Sequence, residues 1–237
     1  MVKYKMLVVL LLVALMVGCT QLGIPITGSG DVVTQKEDIS GFDSLEISSA
    51  FKVVVIQGET YSVVIRIDDN LQKYLEVVKQ GNTLKIGLKT DRTVGATEEA
   101  EVTMPELTGL DLSGASHVTI AGFKSTASID VDLEGASYLR GDIEAGDARF
   151  DVVGASEVTL GGSAGDVDIG ASGASTVDLA DFPVADASVV ADGASTVTVN
   201  ASGTLDVDAG GAAQVYYLGS PTLGTIEESG RAEVGPQ

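Results

Sequence analysis

From Thr108 to Val234 the apolar positions keep fixed places around a recurring three-residue phrase. It reads Gly114-Ala115-Ser116, Gly135-Ala136-Ser137, Gly154-Ala155-Ser156, Gly173-Ala174-Ser175 and Gly193-Ala194-Ser195, with weaker copies at Gly211-Ala212-Ala213 and Gly230-Arg231-Ala232. Four residues before each glycine stand Leu110, Val131, Phe150, Ile169, Val189, Val207 and Ile226. Two before stand Leu112, Leu133, Val152, Ala171, Ala191 and Ala209; four after stand Val118, Leu139, Val158, Val177, Val197, Val215 and Val234. Apolar residues at period two on both sides of a small-residue phrase predict two strands meeting at a bend, each with one face inward. Glycine at the bend permits a backbone that a side chain would forbid, and alanine is expected to let successive coils approach closely.

The glycines are separated by 21, 19, 19, 20, 18 and 19 residues, a period that marks a stacked repeat architecture. Coils stacked about 4.8 Å apart turn each apolar position into a continuous column. Every fully buried Val or Leu in such a column stabilises by about 1.5–3 kcal/mol before entropy is counted. Linked in this way the strands run parallel, so the predicted fold is all-β: a right-handed parallel β-helix, or β-solenoid, with coils of 19–21 residues. Residues 230–237 are a degraded copy with Glu228 at an inward position, expected to cap the stack.

Ahead of the repeats the pattern is less regular. Leu45, Ile47, Ser49, Ala50, Val53 and Val55 fit the template with Ser49 in the glycine place. Between Gln57 and Met104 the register is lost, although strands remain, and Gly81-Asn82 predicts a hairpin joining Leu75–Lys79 to Thr83–Lys89. Asp69–Tyr74 has room for one helical turn, and Thr90–Ala100 reads as a loop. Residues 41–237 form one domain, with irregular coils over 41–107 expected to continue into the repeats of 108–237. Residues 19–40, with Pro25 and Gly28-Ser29-Gly30, read as a tether that leaves room for a brief strand at Asp31-Val32-Val33.

The first 18 residues have the layout of a signal peptide: Lys3 and Lys5, then the apolar run Met6–Val17. Gly18 directly before Cys19, closing that run, resembles the lipobox of secreted lipoproteins. The resemblance implies cleavage before Cys19, a diacylglyceryl group on its thiol and a membrane-anchored, extracytoplasmic location. An ordinary signal peptide with a chance cysteine is the alternative. Cys19 is the only cysteine in the chain, which leaves no intrachain disulfide.

Charge narrows the partners. The chain carries 34 acidic and 14 basic residues, a formal net of −20, so nucleic acid, or an anionic membrane surface approached through charge, would be repelled. Aromatic residues make up 5%, which with 29 glycines implies a thin core.

The Gly41-Phe42 opening, the Ser49–Val55 strand, the Asp68-Asp69-Asn70-Leu71 stretch, the Met104–Leu107 strand end and the Gly-Ala-Ser repeats together resemble the putative auto-transporter adhesin head GIN domain family. The resemblance spans about residues 32–234. It implies a secreted or lipid-anchored β-helical protein of adhesin type, and it brings no catalytic residues.

Three residue sets are candidates for chemistry. Stacking would place Asp111, Asp132 and Asp151 in an outward ladder of like charges, which invites Ca2+ or is simply a solvated acidic face. His117 is the only histidine, so a zinc or copper site of the usual kind is not expected and the residue reads as an outward surface group. Of Tyr216 and Tyr217, adjacent on a strand, one should face out. Three functions remain open: a binding module that presents a flat face to a glycan or envelope partner, a structural envelope lipoprotein, or an enzyme acting on polysaccharides. No cofactor is called for, and the oligomeric state is not legible.

Overall fold

A computed structural model describes residues 25–90 and 92–237; the predicted signal peptide and Cys19 lie outside the described residues. The strands fall into a sheet of ten (sheet I), a sheet of eleven (sheet II) and a short pair, Ile26–Thr27 with Thr93–Val94. Each Gly-Ala-Ser phrase is the corner at which the chain leaves sheet I and enters sheet II. From Gly109 onward every pairing is parallel, coil upon coil, giving a β-solenoid of about seven turns. Among the described residues no helix is long and apolar enough to cross a membrane.

Every predicted column forms. In sheet I, Leu45, Leu110, Val131, Phe150, Ile169, Val189, Val207 and Ile226 are successive cross-strand partners. In sheet II, Val53, Val118, Leu139, Val158, Val177, Val197, Val215 and Val234 do the same. The core is the narrow space between the sheets. All five phenylalanines are buried in it, and Phe182 packs edge-on against Phe150 at 6.4 Å.

The corners depart from the sequence reading in one respect. Alanine is exposed at each corner, whereas the serines, Ser116, Ser137, Ser156, Ser175 and Ser195, are buried. A buried hydroxyl is costly without a partner; among the described residues Ser175 Oγ and Ser195 Oγ have none, whereas the other three close their turns. Ser116 Oγ donates to the Ser113 carbonyl at 2.8 Å, Ser137 Oγ to Glu134 at 2.9 Å and Ser156 Oγ to Val153 at 3.0 Å, each closing its own turn. Close approach belongs to the glycines instead. The amide after each donates to the preceding corner glycine's carbonyl, as Ala155 does to Gly135 at 2.8 Å and Ala174 to Gly154 at 2.7 Å.

The N-terminal third continues the same two sheets by a mixture of parallel and antiparallel pairings. In sheet II, Glu98–Met104 lies parallel to Lys52–Gln57, Ser62–Asp68 antiparallel to it, and Val32–Glu37 antiparallel again at the edge. In sheet I, Thr83–Leu88 joins Ser44–Ile47, and the predicted hairpin places Leu75–Gln80 outside it. Asp69–Tyr74 forms a 3-10 helix, and part of the loop expected at 90–100 is strand.

Within the segment read as a tether, residues 19–40, the described part from residue 25 carries the strands Ile26–Thr27 and Val32–Glu37. Val32–Glu37 pairs along its whole length, since without it Ser62–Asp68 would be an open edge. The Gly-Ser-Gly triplet is held as well. Gly30 N–H donates to Asp68 Oδ1 at 2.9 Å, Ser29 Oγ to Asp69 Oδ1 at 2.6 Å and Asn70 Nδ2 to the Thr27 carbonyl at 2.9 Å. At the far end Glu228 stands opposite Ala209, and its carboxylate accepts the Val234 amide at 2.6 Å. The last coil is exposed and carries a charge where the inward column of Ala209 ends.

Candidate functional site

The two outer faces differ in chemistry, because the side chains that alternate with the core columns point away from it. On sheet I the register brings Asp111, Asp132 and Asp151 together as cross-strand neighbours. The column runs on to Glu46 and Lys85 on one side and is broken by Gly170 and Val190 on the other. Lys85 pairs with Glu46 at 2.5 Å, which raises the lysine's pKa, and Arg149 reaches Asp151 at 3.7 Å. Partial burial, then the charges of Glu46 and Asp132, raise the pKa of Asp111 above the usual carboxylate value. Partial burial likewise raises Asp132, with Arg149 opposing and Asp151 adding to the shift.

No three His, Cys, Asp or Glu side chains are grouped closely enough to hold a metal ion among the described residues. The ladder is therefore a row of carboxylates along an axis and not a convergent set.

The raised pKa values carry a stability consequence. A carboxyl that binds its proton more tightly in the folded state loses native stability as pH rises through its folded pKa. Asp132→Asn is thus expected to raise the melting temperature at pH 7 in low salt. The gain is on the order of 0.5 kcal/mol for an exposed like-charge neighbour. It should shrink at high salt and vanish near about pH 3, where the aspartate is protonated anyway. Melts of both proteins across that range measure it; an equal gain at both pH values would assign the effect to something other than charge.

A second set of aspartates has a purely structural role, one the sequence reading missed. Asp147 Oδ1 accepts the Asp166 amide at 3.0 Å, Asp166 Oδ1 the Asp186 amide at 3.1 Å and Asp186 Oδ1 the Thr204 amide at 2.6 Å. Each stands seven residues before a corner glycine, so the spacing that exposed the core columns also marks this ladder. Part of the acidic excess thereby satisfies backbone donors at the second bend of each coil.

The outer face of sheet II is built differently. One column runs Lys52, His117, Tyr138, Glu157, Thr176, Thr196, Gln214; the next runs Val54, Thr119, Arg140, Thr159, Asp178, Thr198, Tyr216. His117 stacks on Tyr138 with ring centres 4.6 Å apart and 19° between planes, and its Nδ1 lies 3.0 Å from the Ala115 carbonyl. Tyr216 takes the outward column while Tyr217 packs on the core, as their adjacency requires.

Two depressions lie on this face. One, of about 390 Å3, is lined by Lys52, Val54, Val64, Arg66, Glu99 and Glu101, with Arg66 and Glu99 paired at 2.7 Å. The other, of about 440 Å3, is lined by Thr119, Arg140, Asp142, Thr159, Asp178 and Asp181, where Gly141 and Gly161 thin the wall. Val54 and Ile56 stand exposed on the same face. This gathering of one aromatic stack, an arginine and several hydroxyls was not singled out from the sequence. The spacing that aligned the core aligns these residues too, since His117 and Tyr138 are 21 residues apart like their glycines.

Three solved structures share the fold. A putative adhesin from Bacteroides fragilis is 19% identical with a TM-score of 0.80 and covers 90% of this chain and 100% of its own. A putative lipid binding protein from Parabacteroides distasonis is 17% identical with a TM-score of 0.73 over 90% of this chain and 100% of its own. A putative adhesin from Parabacteroides merdae is 15% identical with a TM-score of 0.69 over 91% of this chain and 100% of its own. At these identities the likeness shows the fold alone. No curated protein matches the chain. The family described as "Putative auto-transporter adhesin, head GIN domain" matches residues 41–221, which takes in the corners from Gly114 to Gly211 and most of both outer faces, and the chain belongs to that family.

Proposed function

We propose that this protein is a lipid-anchored, extracytoplasmic binding module of adhesin type that presents the outer face of sheet II to a glycan. The observation that carries this reading is the difference between the two faces. Sheet I offers a row of carboxylates that repel one another and any anionic polymer. Sheet II offers the His117–Tyr138 stack, Arg140, Tyr216 and a run of threonines, groups that meet sugar hydroxyls by hydrogen bonding and sugar rings by apolar contact. The family's adhesin description supports a binding role over a purely structural one.

Glycan-array binding by the ectodomain beginning at Thr20 tests the proposal. Tyr138→Ala with Arg140→Ala is expected to weaken binding about 10- to 30-fold, the loss typical of an aromatic and an arginine at the centre of an interface. Asp111→Asn with Asp151→Asn, on the opposite sheet, should leave binding unchanged. No binding to any glycan or to whole cells would overturn it and favour the structural reading. A second reading has one observation in its favour: Asp142, Asp178 and Asp181 line the same depression as Arg140, the composition that a polysaccharide-acting enzyme uses. Release of shortened product from a bound glycan would establish that reading.

A further inference from the structure

The N-terminal segment is fastened to the body close to the anchor position. Ile26 N–H donates to the Arg92 carbonyl at 3.1 Å and Gly28 N–H to the Val94 carbonyl at 3.1 Å. Asp68, Asp69 and Asn70 hold the backbone and side chains of residues 27–30, and Asp69 N–H donates to the Asp31 carbonyl at 2.9 Å. Only residues 20–25 then separate Cys19 from the first fastened residue. Seven Cα steps reach at most about 25 Å, whereas a free tether to residue 40 would reach about 75 Å.

Charge is distributed in the same sense. Beyond residue 18 the chain has 12 basic residues, of which eight lie between 25 and 104 among 13 acidic ones. Residues 105–237 hold 21 acidic residues against four basic. The first part is thus net negative by five and the second by 17, so an anionic lipid surface, acting within about a Debye length, roughly 8–10 Å, repels the repeats far more strongly than the N-terminal part.

We infer that the N-terminal cap, the strands Val32–Glu37 and Leu75–Gln80 with the 3-10 helix between Asp69 and Tyr74, sits against the lipid surface and that the repeats project away from it. The inference rests on the lipid-anchor reading of Cys19. The short leash holds the cap at the headgroups, and the charge gradient turns the acidic end outward. Seven coils at about 4.8 Å carry the Glu228 end about 35 Å further from the bilayer. The face bearing Tyr138 and Arg140 then stands side-on, between membrane and tip, clear of the headgroups.

The test uses the full-length acylated protein in phosphatidylcholine vesicles containing one-fifth phosphatidylglycerol and a headgroup-labelled acceptor lipid. A donor dye is placed on Thr34→Cys in the outermost cap strand or on Gln237→Cys at the far end. Energy transfer from position 34 is expected to exceed that from 237 at least threefold. Inserting twenty Gly/Ser residues after Gly23 should lower transfer from position 34 at least twofold. Equal transfer from the two positions, or transfer unmoved by the insertion, would overturn the orientation while leaving the anchor intact. Failure of the protein to float with vesicles, with Cys19 unacylated by mass spectrometry, would overturn the anchor reading and the orientation with it.

Discussion

Gly154→Val is expected to destabilise the solenoid by about 2–5 kcal/mol and to lower its melting temperature by on the order of 10 °C. Two terms add. Gly154 has φ +88°, in the left-handed region that a β-branched residue avoids at a cost of about 1–2 kcal/mol or more. A Cβ built there would also lie 2.5 Å from the Gly135 carbonyl oxygen, and that atom is backbone in the coil before, so no side-chain rotation relieves the contact. The coils would have to separate at the corner, and the Ala155 amide that bonds the same carbonyl at 2.8 Å would lose its partner. In a one-dimensional stack a weakened interface between neighbouring coils lowers the cooperativity of the whole array. Ala155→Ser, on the exposed neighbour in the same corner, should change stability by less than about 0.5 kcal/mol. Thermal melts of the two variants beside wild type measure the contrast; a Gly154→Val protein within about 2 °C of wild type would remove the carbonyl contact as the reason for the glycine column.

The chain contains its own comparison for this argument. Ser49 occupies the corner place in the first coil with φ +73° and is the non-glycine residue found in that region among the described residues. No earlier Gly-Ala-Ser corner lies behind it. Its side chain meets the end of the Thr83–Leu88 strand instead, where Ser49 Oγ accepts the Leu88 amide at 3.1 Å. Glycine recurs at the corners that face another corner, and a side chain is tolerated at the one that faces a hairpin. The conformational strain is common to all of them; the close carbonyl is what distinguishes the repeats.

How far the fold was legible follows from the same contrast. Leu112, Leu133 and Val152 reveal their column because the position recurs seven times, so its single polar exception, Glu228, stands out as a cap rather than noise. The N-terminal third has no such repetition. Its order depends on pairings such as Val33 with Ile67 and Ile65 with Ala100, fixed by antiparallel registers that leave no period in the sequence. Its clamps are carboxylates, Asp68 and Glu98, buried among backbone donors, and nothing in the sequence separates them from the other 32 acids. The acidic ladder on sheet I was read correctly as a column, yet its chemistry depends on convergence, which spacing alone does not show. Arg140 and Tyr138 carry no signal as single residues; only the coil register, which sets them beside Thr119 and His117, makes them a surface.

Asp68→Ala is expected to release the N-terminal strap without disturbing the repeats. The carboxylate is buried at 1% exposure, and both oxygens accept backbone amides, Gly30 at 2.9 Å and Thr97 at 2.8 Å. It thus joins the segment before Val32 to the one before Glu98, two stretches that also meet through the short pair Ile26–Thr27 and Thr93–Val94 and the Gly28 amide on the Val94 carbonyl. Hydrogen bonds to a charged group contribute about 1.5–3 kcal/mol each, and truncation leaves two amides in a site too enclosed for easy hydration, so a local loss of about 3 kcal/mol is expected. That corresponds to roughly 100-fold faster hydrogen exchange over residues 26–31 and 93–97, because these amides open locally and not with the whole protein. Exchange over the corners from Gly135 to Gly211 should be unchanged, since each coil depends on its neighbours alone. Asp68→Asn should fall between the two, keeping one acceptor while turning its own amide toward a second N–H. If exchange over 26–31 stays at the wild-type rate in Asp68→Ala, the strap is held by the pairing of Val32–Glu37 with Val63–Asp68, and the leash that brings the cap to the lipid surface is set by the strand and not by the buried carboxylate.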